Sequence, residues 1–582
     1  MKMASIRALL TSLFTLGLLS GGGYLHAQNI SEIAKSDPLI ISGAIGTQNT
    51  YRYSTTGNGY SAPFSTAVYA NMNLSIYGFN MPFSLYFTSD NVTFNYPHLT
   101  FSLTPTYKNW TGHIGQSSMA MSNYVMNTSF SGVGIEYNME RVRVGAFYGR
   151  LRKAINDNPD EPYARNPQYK RMGWGFKVGY GSKRSFLDIY LLRAYDCLKS
   201  LDERWQRSLA PQENVVVGAK GALGITRYLS LSANAAASVF NTDSRAEKLQ
   251  SAEVDNSLWG KIFDVRYSTL ARFAGDASLQ LHLKKLNASL VYRMVQPDYT
   301  SLGVSYMSNN YHSLAVHLST HLFNKIALTA NFSGQEDNLT DKQLYTTQGF
   351  VYSATANTRL GKHLNINASY NGYTQRQTDG TLHVNDTTRV NRRMQSLSLM
   401  PSYIIDSDML GHAMSLSLNR TDNKDLNRFA TGESDVTTLA LGANYTLSVK
   451  SWNTSFTTSF SHQQSKGYRT KYKSDIVSLS TGRSFLKEHN LNISGTLSLC
   501  YNEVERQSKN LSMGGDIAAS LTLKKVHVFS TSASFYKYGD VNMTKTRSNL
   551  DQTDITLSLN YAYTFSLFSI RSGQRSKENN RQ

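Results

Sequence analysis

Cysteine, proline and long apolar runs are all scarce in this chain, and each shortage excludes something. Only Cys197 and Cys500 are present among 582 residues, so the protein is not a disulfide scaffold. Pairing between the two is disfavoured, because the strands expected around them lie far apart in order. Eleven prolines are few for a chain this long. After residue 27 no stretch approaches the roughly 20 apolar residues that a membrane helix needs. Negative charge is the minority: 40 Asp and Glu stand against 59 Lys and Arg, a net charge of +19, or +17 without Lys2 and Arg7. The basic residues are scattered singly or in pairs, which argues against a nucleic-acid surface. Gly-x-Ser-x-Gly, His-Glu-x-x-His and phosphate-loop motifs are all missing. A surface enzyme assembled from separate strands is therefore the least favoured reading, and no cofactor is expected.

What is present begins with an export signal. Lys2 and Arg7 precede an apolar run from Ala8 to Leu19, and small residues lead to His26-Ala27. This pattern predicts a signal peptide over residues 1–27, cleaved after Ala27. No cysteine follows the cleavage point, so a lipid anchor there is not expected.

Beyond it the pattern has a period of two. Ile555, Leu557, Leu559, Tyr561, Tyr563 and Phe565 alternate with Thr556, Ser558, Asn560, Ala562 and Thr564. Leu439 to Val449 and Leu491 to Tyr501 repeat the split. Side chains alternate across a strand, so each segment has one large apolar face and one small polar face. The segments run to about 10–15 residues, longer than the usual 5–6 of soluble sheets and suited to a tilted membrane crossing.

The connections alternate as well. Tight turns are expected at Phe79-Asn80-Met81, Lys108-Asn109, Met139-Glu140, Ser182-Lys183-Arg184, Arg227-Tyr228 and Lys284-Lys285. They continue at Asn324-Lys325, Lys362-His363, Ser407-Asp408-Met409, Lys450-Ser451, Lys487-Glu488 and Lys524-Lys525. Longer polar loops separate them, among them residues 153–170, 198–212, 243–261, 375–392 and 539–552. Short periplasmic turns with long external loops are the mark of an outer-membrane barrel. The expected fold is all-β: a transmembrane antiparallel β-barrel of about 26 strands, with 22 or 24 also satisfying the parity. It fills residues 28–570, and a polar periplasmic tail covers 571–582. With 22 strands, residues 28–110 would form a separate N-terminal piece.

In these features the chain resembles bacterial outer-membrane barrels. Leu557, Leu559, Tyr561, Tyr563 and Phe565 look like the aromatic closing strand that barrel-assembly machinery recognises, although polar residues follow it. Tyr107-Lys108-Asn109-Trp110, His113-Ile114-Gly115, Ser122-Asn123-Tyr124 and Tyr148-Gly149-Arg150 resemble a stretch recurring in uncharacterised Bacteroidota barrels. The resemblance implies outer-membrane location and brings no activity with it.

Candidate sites are few. Lys183, Arg184, Lys284, Lys285, Lys524 and Lys525 fall in short turns, where a positive rim would meet anionic headgroups of the inner leaflet. The competing account is that charges keep turns wet. His98, His113, His282, His312, His317 and His321 are the nearest approach to a metal cluster, with solvent or turn histidines favoured instead. Asp157, Asp160 and Glu161 make an acidic loop without full calcium-ligand spacing. Tyrosines such as Tyr180, Tyr228 and Tyr445 suit membrane-boundary girdles.

Transport leads among functions. A polar inner face on about two dozen strands encloses a water-filled lumen unless something plugs it, and basic residues there would favour anionic solutes. A scaffold or assembly partner for other surface proteins or lipids is the alternative. Expected partners are outer-membrane lipid, the assembly machinery and other outer-membrane proteins. A receptor with a plug domain would need well over 100 residues before the first strand, and alternation already begins near Leu39.

Overall fold

The computed structural model describes residues 39–55, 63–76, 79–89, 98–157, 165–250, 263–486, 490–505, 508–540 and 552–569. The expected signal peptide and polar tail lie outside them. Nearly everything described is strand, in the order β1 Ile40–Ser54, β2 Phe64–Ile76, β3 Phe79–Thr88, β4 His98–Leu103, β5 Thr106–Tyr107, β6 Trp110–Ser117, β7 Phe130–Asn138, β8 Val142–Arg152 and β9 Arg171–Gly181. Next come β10 Phe186–Asp196, a short helix α1 Glu203–Ser208, β11 Glu213–Gly224, β12 Leu229–Asn241, β13 Thr269–His282, β14 Leu286–Val295, β15 Tyr311–Leu322, β16 Ile326–Asp337 and β17 Tyr345–Leu360. The wall is completed by β18 Leu364–Asp379, β19 Asn391–Asp406, β20 Leu410–Asp425, β21 Val436–Val449, β22 Thr454–Lys466, β23 Lys471–Phe485, β24 Leu491–Val504, β25 Ser508–Leu523, β26 His527–Asp540 and β27 Gln552–Ser569.

Every neighbouring pair is antiparallel, and β27 returns to pair with β1, from Ile40↔Ser569 to Ser54↔Asp554. The sheet therefore closes on itself and leaves no edge to aggregate. β4 and β5 are one wall strand broken at Thr104-Pro105, since both pair with β3 and with β6. Proline has no N–H for the ladder, which explains the break; the Gly112 N–H still reaches the Pro105 carbonyl at 2.7 Å. The 27 segments thus make 26 wall strands, the number that the alternation of turns and loops predicts.

The turns also fall where expected, with one correction, and Lys487-Glu488 lies outside the described residues. Phe79, Asn80 and Met81 are not a turn but the first residues of β3, with Phe79 opposite Ile76. The alternating Phe79, Met81 and Phe83 continue the apolar face and pull the strand start forward. The expected tight turns among the described residues share one rim. At the other rim most connections are longer, although β22 and β23 are joined by only residues 467–470 and β24 and β25 by only residues 505–507. Both wall ends, at β1 and β27, begin and end at the tight-turn rim.

The two faces differ as the period of two requires. Leu397, Leu416, Leu439, Phe460, Leu479 and Leu557 point outward and are exposed. Ser415, Ser417, Ser498 and Thr496 take the opposite parity. A closed sheet with an apolar outer band suits lipid as its solvent, because each such side chain gains about 1.5–3 kcal/mol when removed from water.

Candidate functional site: an inward-folded shelf on the lumen wall

One sector of the inner face is not small and polar. On β7 to β15 the inward positions include Phe130, Phe147, Tyr190, Leu192, Val216 and Val295, all buried. Two connections at the long-loop rim cover them by folding back into the barrel. Residues 118–129 join β6 to β7, and residues 296–310 join β14 to β15. Their own apolar side chains, Met119, Tyr124, Val125, Met126 and Tyr299, complete the cluster.

Glycine makes room for both connections. At Gly218 on β11 a Cβ would stand 2.4 Å from Val125 Cγ2, and at Gly303 one would stand 2.5 Å from Leu192. A side chain at either position would have to displace its neighbour.

Polar bonds fix both connections to the wall and to each other. The Tyr124 hydroxyl donates to Asp276 on β13 at 2.7 Å, and Ser122 donates to Asn234 on β12 at 2.7 Å. Tyr299 donates its hydroxyl to the Tyr124 carbonyl at 2.8 Å, and Ser301 donates to the Val125 carbonyl at 2.6 Å. Gly303 accepts from the Asn127 and Thr128 N–H groups, at 3.0 and 3.2 Å. Burial, followed by the Asp276 bond, raises the Tyr124 phenol above its ordinary value; burial alone does the same for Tyr299. Both phenols stay neutral where they sit.

Ion pairs flank the apolar patch on the same wall. Glu136 on β7 is held by His113 at 3.0 Å and by Lys177, whose ammonium also reaches the Ala120 carbonyl at 3.5 Å. Arg143 pairs with Asp188 at 2.7 Å, and Arg171 with Asp196 at 2.8 Å. Inward basic residues are therefore matched by inward acids, and this wall carries little uncompensated charge.

Twenty-six strands at about 4.8 Å spacing and a tilt near 40° would close a circle roughly 50 Å across. A layer of folded loop is about 10 Å deep. The shelf narrows such a lumen from one side and does not fill it. Across from it, the inner face of β16 to β27 is mostly short and polar, with Val351, Met394, Met400, Ile404 and Tyr536 exposed among the Ser, Thr and Asn side chains.

The residues singled out from sequence fall in three places. Leu557, Leu559, Tyr561, Tyr563 and Phe565 lie on the outward face of β27 and pair with Tyr51, Asn49, Thr47, Ile45 and Gly43 of β1. Lys183 and Arg184, Lys284 and Lys285, and Lys524 and Lys525 sit in three separate turns of the short-turn rim. Arg184 donates to the Thr226 carbonyl of the neighbouring turn. The histidines are not gathered: His113 serves Glu136, His317 contacts Asn331 at 2.8 Å, and His312 lies on the outer face beside Tyr292. No group of three metal-ligating side chains forms among the described residues. Asp157 is taken by Arg165 at 2.7 Å, while Asp160 and Glu161 lie outside the described residues. Cys197 and Cys500 are both free thiols.

Sequence reasoning missed the shelf. Its signal was legible: Met119-Ala120-Met121 and Tyr124-Val125-Met126 form an apolar connection where a polar loop belongs. Ile189-Tyr190-Leu191-Leu192 likewise lacks alternation, as a strand buried on its inner face should.

No known protein family and no curated protein matches the chain. Among solved structures it is similar to the translocation pore of the P pilus usher PapC, at 10% identity over 90% of this chain and 99% of that one, with a TM-score of 0.35. It is also similar to OpdQ of Pseudomonas aeruginosa, at 10% identity over 62% and 97% with a TM-score of 0.33. For OprD of the same organism the figures are 9% identity, 71%, 97% and 0.29. Likeness this distant carries no argument about what the chain does.

Proposed function

We propose that this protein is an outer-membrane channel that passes polar solutes past a shelf on one wall. The observation that carries the reading is the closed ladder from β27 to β1 around an inner face that stays mostly polar opposite the shelf. A lumen of that width lined mostly by Ser, Thr and Asn holds water. The apolar outer band and the resemblance of residues 107–150 to Bacteroidota barrels support the same location. Because the inward charges on the shelf wall are paired, that side of the lumen adds little selectivity between anions and cations, and size is selected more than sign.

Conductance of the full chain in a planar bilayer tests this. The expected result is a large, stepwise, weakly selective current. A correctly inserted protein that carries no current would favour the scaffold reading instead. Insertion is scored separately, with Cys197→Ser and Cys500→Ser as background and single cysteines at Leu382 and Lys285. Leu382→Cys should label from the outside and Lys285→Cys should not.

A further inference from the structure

On the outer face of β18 to β26 the unpaired positive charge gathers at one height. β18, β19 and β20 have 16 residues each, so at about 3.3 Å per residue and 40° tilt they stand roughly 40 Å tall. The apolar band of such a barrel is about 25 Å, or about ten residues counted from the short-turn end. Beyond that count the outward positions become basic: Arg393 on β19, Lys424 on β20, Lys466 on β22 and Lys471 on β23. They share parity with the outward Leu397, Leu416, Phe460 and Leu479 below them.

Two observations separate these four from ordinary surface charge. The first is register. Lys466 lies directly opposite Lys471, and Arg393 directly opposite Lys424. Directly opposed residues hold their Cβ atoms about 4.5–5.5 Å apart, where like charges repel. The second is the absence of a direct ion pair. Among the described residues none of the four makes an ion pair, although acids are close by on the same face. The nearest contacts of those acids go elsewhere, Asp422 to Arg420 at 3.0 Å, Asp475 to His462 at 2.6 Å and Glu503 to Lys509 at 3.4 Å, while Asp422 also attracts Lys424 at longer range.

A wall that sets two repelling pairs just above a band of leucine is completed by an anion with a greasy body. We infer that this sector binds the phosphorylated headgroup of an outer-leaflet lipid, one phosphate between the members of each like-charged pair. Its acyl chains lie along the apolar band beneath. Two cations on one phosphate give short, charge-assisted bonds, and the anion removes the repulsion that the register imposes. This inference rests on reading the wall as membrane-spanning with its long loops outside.

The test refolds the full chain into phosphatidylcholine vesicles with and without lipid A, a bisphosphorylated glucosamine lipid. After extraction into mild detergent, the lipid A carried per chain is counted by native mass spectrometry. Dephosphorylated lipid A and inorganic phosphate are the comparison probes. Lipid A should be retained and its dephosphorylated form should not. Replacing all four residues with Gln should lower retention at least about tenfold, the factor that corresponds to about 1.4 kcal/mol. A second variant, Lys424→Glu with Lys471→Glu, turns each repelling pair into an attracting one. It should melt no lower than the parent in neutral detergent and still lose the lipid. Equal retention of lipid A and its dephosphorylated form would overturn the inference, as would unchanged retention in both variants. So would an equal loss from Lys284→Gln with Lys285→Gln at the other rim, or full displacement by inorganic phosphate at equal concentration. A chain that fails to insert into either vesicle, seen as unaltered gel mobility on heating, tells against the membrane-spanning reading itself.

Discussion

The hydroxyl of Tyr124 meets the Asp276 carboxylate at 2.7 Å, joining an inward-folded connection to a wall strand 152 positions away. With Tyr299 bonded in turn to the Tyr124 carbonyl, two phenols fasten the shelf. Both titrate above the ordinary tyrosine value of about 10. A raised folded-state value means the contribution to stability is complete below about pH 10 and declines as pH climbs past it. Single-channel current should thus be steady up to about pH 10 and then grow noisier and larger as the shelf loosens. Tyr124→Phe combined with Tyr299→Phe should show the loosened current already at neutral pH, without the alkaline transition. A parent-like alkaline step in the double variant would assign that step elsewhere.

Gly218 gives a steric version of the same experiment. A side chain there meets Val125 Cγ2 at 2.4 Å, so Gly218→Val should lift the first connection off the wall. We expect a loss of about 1–3 kcal/mol in unfolding free energy together with a larger conductance. Gly482 faces the lumen on the opposite wall, where the nearest atom to a new Cβ is 3.7 Å away. Gly482→Ala should leave both quantities near those of the parent. Equal effects at the two positions would mean that the shelf does not set the opening.

The outer band makes a separate claim. Leu416 is 59% exposed near mid-height of β20, and Ser417 is its inward neighbour. Leu416→Arg should cost roughly 2–4 kcal/mol in lipid, and Ser417→Arg much less. Unfolding midpoints in vesicles measure both, and equal penalties would reverse the face assignment.

Period and turn spacing made the wall legible from sequence because a lipid-facing strand must repeat its apolar residue at every second position. Leu439 to Val449 could be assigned to a face without any partner in view. The shelf could not be read in the same way. Whether Tyr124 or Val125 packs anywhere depends on Gly218, Asp276 and Leu192, brought together only when nine strands are in register. The pairing of Glu136 with His113 and Lys177 is equally non-local, because its partners lie on two other strands.

The basic turns can be tested directly. Lys284, Lys285, Lys524 and Lys525 sit at the short-turn rim, where each could contribute about 1 kcal/mol against an anionic leaflet, screened within roughly a Debye length of 10 Å at 0.1 M salt. Replacing all four with Gln should lower the unfolding midpoint in anionic liposomes and barely change it in neutral detergent. The same shift in both media would leave hydration of the turns as their whole purpose.

The seam between Ile45 and Tyr563 has a consequence for how this wall can be made and altered. The contact that seals the barrel joins strands from opposite ends of the wall, the least local pairing in the sheet, and until it forms the wall presents two raw strand edges. Hairpins can be lost or gained in the middle and the circle still meets, with both ends at the same rim and all faces in phase. Removing a single strand would strand one end on the far side of the membrane. Size in such a protein changes in steps of two.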